Sequence, residues 1–370
     1  VHQRQDGPPN QASGGPAMSE STMSPAAARS PTPHARIATA RQRAAWLLLG
    51  LMALSVLLAG LGASVGSTGF DSVLRVADDP LAARIVWDIR LPRSLGAWLA
   101  GALLGLAGAV AQGLFRNPLA DPFLLGSASG ASLGVASALA LFGVAPATVW
   151  LAKLGLTGAA FVGAVLAVLL TLQLARGVQH TLRLLLAGVI VGVVLGAVKD
   201  LITLAAPDII PSMQGFNLGS AGFIGWASCV LMLLAWCVCM AGAWVFSRAL
   251  DGLSLGESTA ASLGLPLVPM RVALVAVLAL ATGTAVAQTG LIAFVGLAAP
   301  HLVRSMAKVT HAWLVLLASL MGGVLLMGAD VMARWVIAPQ ELPVGVLTAV
   351  LGGGYLLWLM HRRTGQGGVL

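Results

Sequence analysis

The sequence predicts an all-α polytopic membrane protein of about ten transmembrane helices, and three observations carry that prediction. Ten apolar stretches, each about as long as a bilayer is thick, fill the chain from Ala44 to Met360. A run of about 20 apolar residues crosses a hydrocarbon core of roughly 30 Å, and no soluble domain needs ten of them. Of the 370 residues, 58% are hydrophobic and only 9% are charged, so there is too little polar surface to clothe a water-soluble fold. The 45 glycines suit close helix packing in lipid, where small residues let backbones approach.

Residues 1–43 are rich in Pro, Ser, Ala, Gln and Arg without apolar periodicity, and read as a disordered cytoplasmic tail. Met18 and Met23 stand inside it as alternative starts. The first apolar run, Trp46 to Leu61, is longer than an ordinary signal-peptide core, and no convincing cleavage site precedes the next span. The membrane domain is predicted at 44–363, with spans at 44–64, 92–113, 124–143, 149–174, 182–206, 222–247, 267–288, 290–306, 312–333 and 342–361. The narrowest division falls at Thr289–Gly290, where a Gly-containing turn must separate two helices. Cys229, Cys237 and Cys239 share one apolar run and read as small hydrophobes rather than a disulfide framework.

Orientation follows from Lys and Arg. With the N-terminus inside, thirteen basic residues from Arg29 to Arg363 fall on the inner side, against six on the outer. Both termini are therefore predicted to be cytoplasmic. The net charge of +8 is spread singly over helix ends, which is no nucleic-acid footprint. There is also an internal echo: LAGAVAQG at 106–113 against TGTAVAQTG at 282–290, in spans predicted to run in opposite directions. An inverted-topology repeat produces such a match, as does chance in Ala/Gly-rich helices.

Absent motifs narrow the chemistry. No Gly-Lys pair occurs, so the phosphate-cradling loop of a Walker-type ATPase is missing from this chain. No HExxH zinc motif is present. A GxSxG string, Gly130 to Gly134, falls within an apolar helix, whereas a nucleophilic serine needs a strand-to-helix elbow and a base in reach. Small-residue packing explains Ser132 better than an intramembrane hydrolase does.

Five stretches are too specific for a generic bundle: WDIRLPR (87–93), FRNPLADPFLLGSASGASLG (115–134), LGESTAASLGLPL (255–267), GLIAFVGLAAPHLVR (290–304) and ELPVGVLTAVLGGGYLLWLM (341–360). In these the chain resembles the permease subunits of type II ABC importers, which take up iron–siderophores, haem and vitamin B12. The resemblance covers residues 44–363. It implies a permease of the bacterial inner membrane that pairs with a second copy of itself. Two separate ATPase subunits would dock on its inner face and a periplasmic substrate-binding protein on its outer face. No catalytic residue, metal or cofactor belongs to this chain on that reading, ATP and Mg being held by the ATPase. A proton-coupled secondary transporter using Lys199, Asp200 and Asp330 is the rival reading.

The same resemblance assigns roles to residues. The segment 254–263 matches the coupling helix that fits the ATPase, with Leu255, Gly256, Glu257, Ala260, Leu263 and Gly264 as its contact residues. Leu255, Ala260 and Leu263 would otherwise be wastefully apolar in a solvated loop. Arg90, Arg93 and Arg334 match positions that meet acidic residues of the binding protein, while interface snorkelling is the plainer explanation. The turn at Asn117–Pro122 reads as architectural. His180 and Thr181 resemble the cytoplasmic gate. Lys199 and Asp200 fall in the fifth span, which lines the family's path, and charges there are costly unless paired or facing water. Neighbouring residues point about 100° apart on a helix, which predicts that these two do not neutralise each other face to face. The chain departs from many members in lacking a Trp before Leu218–Gly219–Ser220.

Overall fold

A computed structural model describes residues 33–64, 79–143, 150–175 and 181–364, and these form helices and turns with no strand among them. In chain order the helices are α1 (Pro33–Ser64), α2 (Pro80–Ile85), α3 (Leu91–Phe115), α4 (Ser127–Phe142) and α5 (Trp150–Leu174). After these come α6 (Thr181–Ala205), α7 (Ile210–Leu218), α8 (Trp226–Val245), α9 (Ser247–Ser254) and α10 (Glu257–Ser262). The last four are α11 (Leu267–Thr289), α12 (Val295–Met306), α13 (His311–Trp335) and α14 (Val344–Thr364). Nine of the ten predicted spans coincide with a helix, 290–306 being the exception. α1 begins at Pro33, and residues 1–32 of the predicted tail lie outside the described residues.

Seven helices are long and apolar enough to cross a bilayer, and α4, α12 and the apolar stretch Val344–Trp358 of α14 are shorter. The predicted span 290–306 is the largest correction. Its helical part, α12, has 12 residues and is about 18 Å long, too short to cross alone. Residues 290–294 are not helical, and both Gly290 (φ +70°) and Phe294 (φ +69°) take the left-handed conformation. A broken helix at membrane depth survives only where its backbone is buried in protein or lines a cavity. Here Leu291 donates to the Phe216 carbonyl of α7 at 3.0 Å, and Ser220 N–H donates to Thr289 O at 2.8 Å.

α3 is the centre of the molecule. Of its 25 residues all but Leu91, Leu95 and Trp98 are buried, and it packs against α8, α11, α12 and α13. Glycine permits this crowding at specific points. A Cβ on Gly101 would strike the Gly322 carbonyl of α13, and one on Gly108 the Gly296 carbonyl of α12. Pro92 explains how α3 starts. Lacking an N–H and crowding the carbonyl four residues back, it cannot extend a regular α-helix, and the turn Val86–Arg90 widens to a π-helix in which Leu91 N–H reaches Val86 O.

A second layer is built the same way. Gly130 and Gly134 of α4 press on Gly163 and Ala159 of α5, and Gly188 of α6 presses on the Leu124 carbonyl. The GxSxG string is thereby placed: Ser132 sits buried on a helix whose flanking glycines are contact points. The outward faces of α1, α5, α6 and α8 are lined by exposed Leu, Val, Met and Trp, the composition lipid tails match. The two echo segments lie in α3 and α11, which pack side by side and run in opposite directions.

Candidate functional site

At one end of the bundle α9 and α10 make a projecting knuckle. The predicted helix over 254–263 is present but shorter: α9 ends at Ser254, and Gly256, at φ +109°, turns the chain so that α10 begins at Glu257. Gly264, at φ +77°, closes the other side. Leu255 and Leu263 are 66% and 63% exposed, which is where a partner surface would find them. Ala260 differs from expectation: it is fully buried in the chain's own core. A six-residue helix turns one of its faces down, and the small alanine is the residue that fits there.

Glu257 fixes the knuckle from beneath. Its carboxylate meets Arg271 of α11 at 2.7 Å and Arg116, just past α3, at 3.4 Å. Asp251 of α9 does the same for α13, accepting from His311 N–H at 3.0 Å and lying 2.7 Å from its Nδ1. Gln112 of α3 donates to Leu297 O at 3.2 Å and takes the guanidinium of Arg304. Three long helices are thus tied to one exposed element. Asp121, in the nearby turn, caps Phe123 N–H at 2.8 Å, and burial raises its carboxyl above the usual range against that bond. The sequence signal for these ties was basic residues at the ends of α3 and α11 facing an acid between them.

The opposite end holds the predicted arginines, and the structure turns all three inward. Arg90 donates to Ala63 O (3.3 Å) and Ser64 O (3.1 Å), and Arg334 to Gly62 O (2.9 Å), so the last turn of α1 has its free carbonyls satisfied by cations. Arg334 also meets Asp330 at 2.8 Å and Ser94 Oγ at 3.2 Å. Arg93 sits between two acids. It holds Asp330 through Nε and Nη2 at 3.1 and 3.0 Å, and Glu341 through Nη1 at 2.8 and 3.1 Å.

The two acids are not equivalent. Asp330 is fully buried, and removing one partner of such a pair costs about 3–5 kcal/mol. Glu341 has its side chain 37% exposed on the irregular stretch before α14, where an ion pair is worth about 1 kcal/mol or less. Sequence reading does not foresee that Asp330 and Glu341 pair with Arg93. The available signals were a carboxylate inside a span and its i,i+4 spacing from Arg334.

Lys199 and Asp200 correct a further expectation: they do neutralise each other, at 2.7 Å. The flexible four-carbon stem of lysine swings its ammonium across the 100° that separates the two Cβ directions. Asp200 remains 72% exposed. Thr181 opens α6, and His180 lies outside the described residues. Elsewhere a cavity of about 340 Å³ opens at the helix break, walled by Phe123, Leu218, Leu291, Ala293 and Val346, with Asn217 as its polar side chain. Asn217 stands in the position before Leu218 where the expected Trp is missing. No group of three or more metal-ligating side chains occurs among the described residues.

Comparison with known proteins agrees with this architecture. The FecCD transport family profile matches residues 47–362. The hemin transport system permease protein HmuU of Yersinia pestis is 37% identical over 329 residues, covering 86% of this chain and 97% of that one. A vitamin B12 import system permease protein, BtuC of Salmonella typhimurium, is 39% identical over 293 residues, covering 77% and 86% respectively. A solved metal-chelate type ABC transporter in an inward-facing conformation superposes with a TM-score of 0.76 at 27% identity, over 85% of this chain and 98% of that one. A buried α3 ringed by helices, a broken eighth span and a match to nearly the whole membrane region mean that the chain is a multi-span permease belonging to the FecCD transport family.

Proposed function

We propose that this protein is the membrane subunit of an ATP-driven importer of a metal chelate, with haem or an iron–siderophore as the first-ranked cargo and cobalamin the second. Two copies would enclose the path in the bacterial inner membrane, with both termini cytoplasmic. A separate ATPase would grip each α10 knuckle, and a periplasmic binding protein would deliver cargo at the arginine end. The observation that carries this reading is the knuckle: exposed Leu255 and Leu263 flank a helix that Glu257 pins to α3 and α11. Force applied there reaches the centre of the bundle through ion pairs rather than through a loose loop.

The proton-coupled reading gains nothing from the geometry. Asp330 is held between two guanidiniums and Lys199 carries its own counter-ion. The test is uptake of labelled haem, a ferric siderophore and cobalamin into proteoliposomes. Vesicles holding this chain, its ATPase and the cognate binding protein are expected to take up one cargo class only with internal ATP. Full-rate uptake by this chain alone under a pH gradient would overturn the proposal.

A further inference from the structure

We propose that Glu341 is an internal stand-in for an acidic side chain of the docking partner, and that docking exchanges one carboxylate for the other on Arg93. The inference rests on the docking reading given above and adds what happens at its arginine. Arg93 has two acids on different sides of its guanidinium. Asp330 is buried and shared with Arg334, so it stays. Glu341 is half-exposed, is carried by an exposed non-helical stretch at 336–341, and holds Nη1 of Arg93. A carboxylate arriving from solution therefore meets Glu341 first and finds a guanidinium already oriented for bidentate contact.

The consequence is mechanical as well as adhesive. Glu341 is followed by Leu342, whose N–H donates to Ala333 O at 3.1 Å, and by Gly345, whose N–H donates to Gly219 O at 3.4 Å. Gly345 and Val346 also wall the 340 Å³ cavity at the helix break. Among the described residues, α14 makes its main contacts with α7, α12 and α13. Releasing Glu341 frees the entrance of α14, which forms one wall of that cavity. An acidic partner would thus loosen the outer wall by the act of binding, and vacant permeases would keep it fastened.

The experiment measures binding of the purified cognate binding protein to the complete transporter in nanodiscs, by surface plasmon resonance at low and at physiological salt. Glu341→Gln removes the competitor with little change of shape and is expected to tighten docking about three- to tenfold, mostly through faster association. Glu341→Ser vacates the same guanidinium and gives the same readout should the glutamine variant not fold. Unchanged or weaker docking by folded Glu341 variants overturns the exchange. The double variant Arg93→Gln/Glu341→Gln, with Asp330 still paired to Arg334, separates the two levels of the argument. If it docks weakly while Glu341→Gln docks like wild type, the arginine is a docking residue without exchange. If every variant docks like wild type, the docking reading falls as well.

Discussion

Single residues decide how charge is tolerated in this membrane protein. Asp330 binds Arg93 and Arg334 in a site closed to water, so Asp330→Asn leaves two guanidiniums sharing a weaker partner. Its expected cost is about 3–5 kcal/mol, seen as a lowered thermal midpoint of the detergent-purified protein. Asp121 behaves in the opposite sense. Its carboxyl is raised by burial, so its contribution is favourable below the ordinary aspartate range and is lost as pH rises through the raised value. Asp121→Asn keeps the turn to Phe123 N–H without the charge, and is expected to match or exceed wild-type stability at pH 7. That advantage disappears near pH 4, and Asp121→Ala, lacking the cap, loses about 1 kcal/mol throughout. Unfolding midpoints across pH check both. This scale was the least legible in the sequence. Hydropathy marked Asp330 and Lys199 as expensive, but the partner of each depends on side-chain reach and on which helices meet, neither of which is written in local pattern.

At the scale of elements the sequence was informative, because span length and apolar run length are the same quantity in a bilayer. What it misjudged were places where backbone geometry departs from a straight rod. The π turn at Val86–Arg90, the shortness of α12 and the late start of α10 at Glu257 each follow from a proline or a positive-φ glycine. The α10 knuckle yields a clean prediction. Leu255 and Leu263 already face outward, so Leu255→Asp with Leu263→Asp should change stability by no more than about 0.5 kcal/mol. Co-purification of the ATPase and ATP-driven uptake are nonetheless expected to be lost. The glycines of α3 make the contrasting case. Gly108→Leu meets the backbone carbonyl of Gly296, which has no freedom to withdraw, so little monodisperse protein is expected on size-exclusion chromatography.

For the whole molecule, the all-helical membrane class followed from composition, while the number of full-length spans and their arrangement needed the structure. Hydropathy only hints at α3 as the central element, its span being less apolar than the lipid-facing α5 and α6; glycine at Gly101, Gly105 and Gly108 was the other clue. A molecule-scale prediction follows from the proposed pairing. Light scattering of the detergent-solubilised protein should give the mass of two chains, and a single-chain mass would oppose a path shared between copies.

The encasement of α3 sets a limit on motion. A rod clasped on every side at distances where carbonyl meets glycine cannot slide, twist or bend by itself without prising its neighbours apart. Any opening and closing of this permease is therefore expected around that axle, by shifting the lightly tethered pieces at its rim or, on the proposed pairing, by swinging whole copies against each other. Variants that stiffen the rim should jam the machine while leaving its resistance to heat untouched.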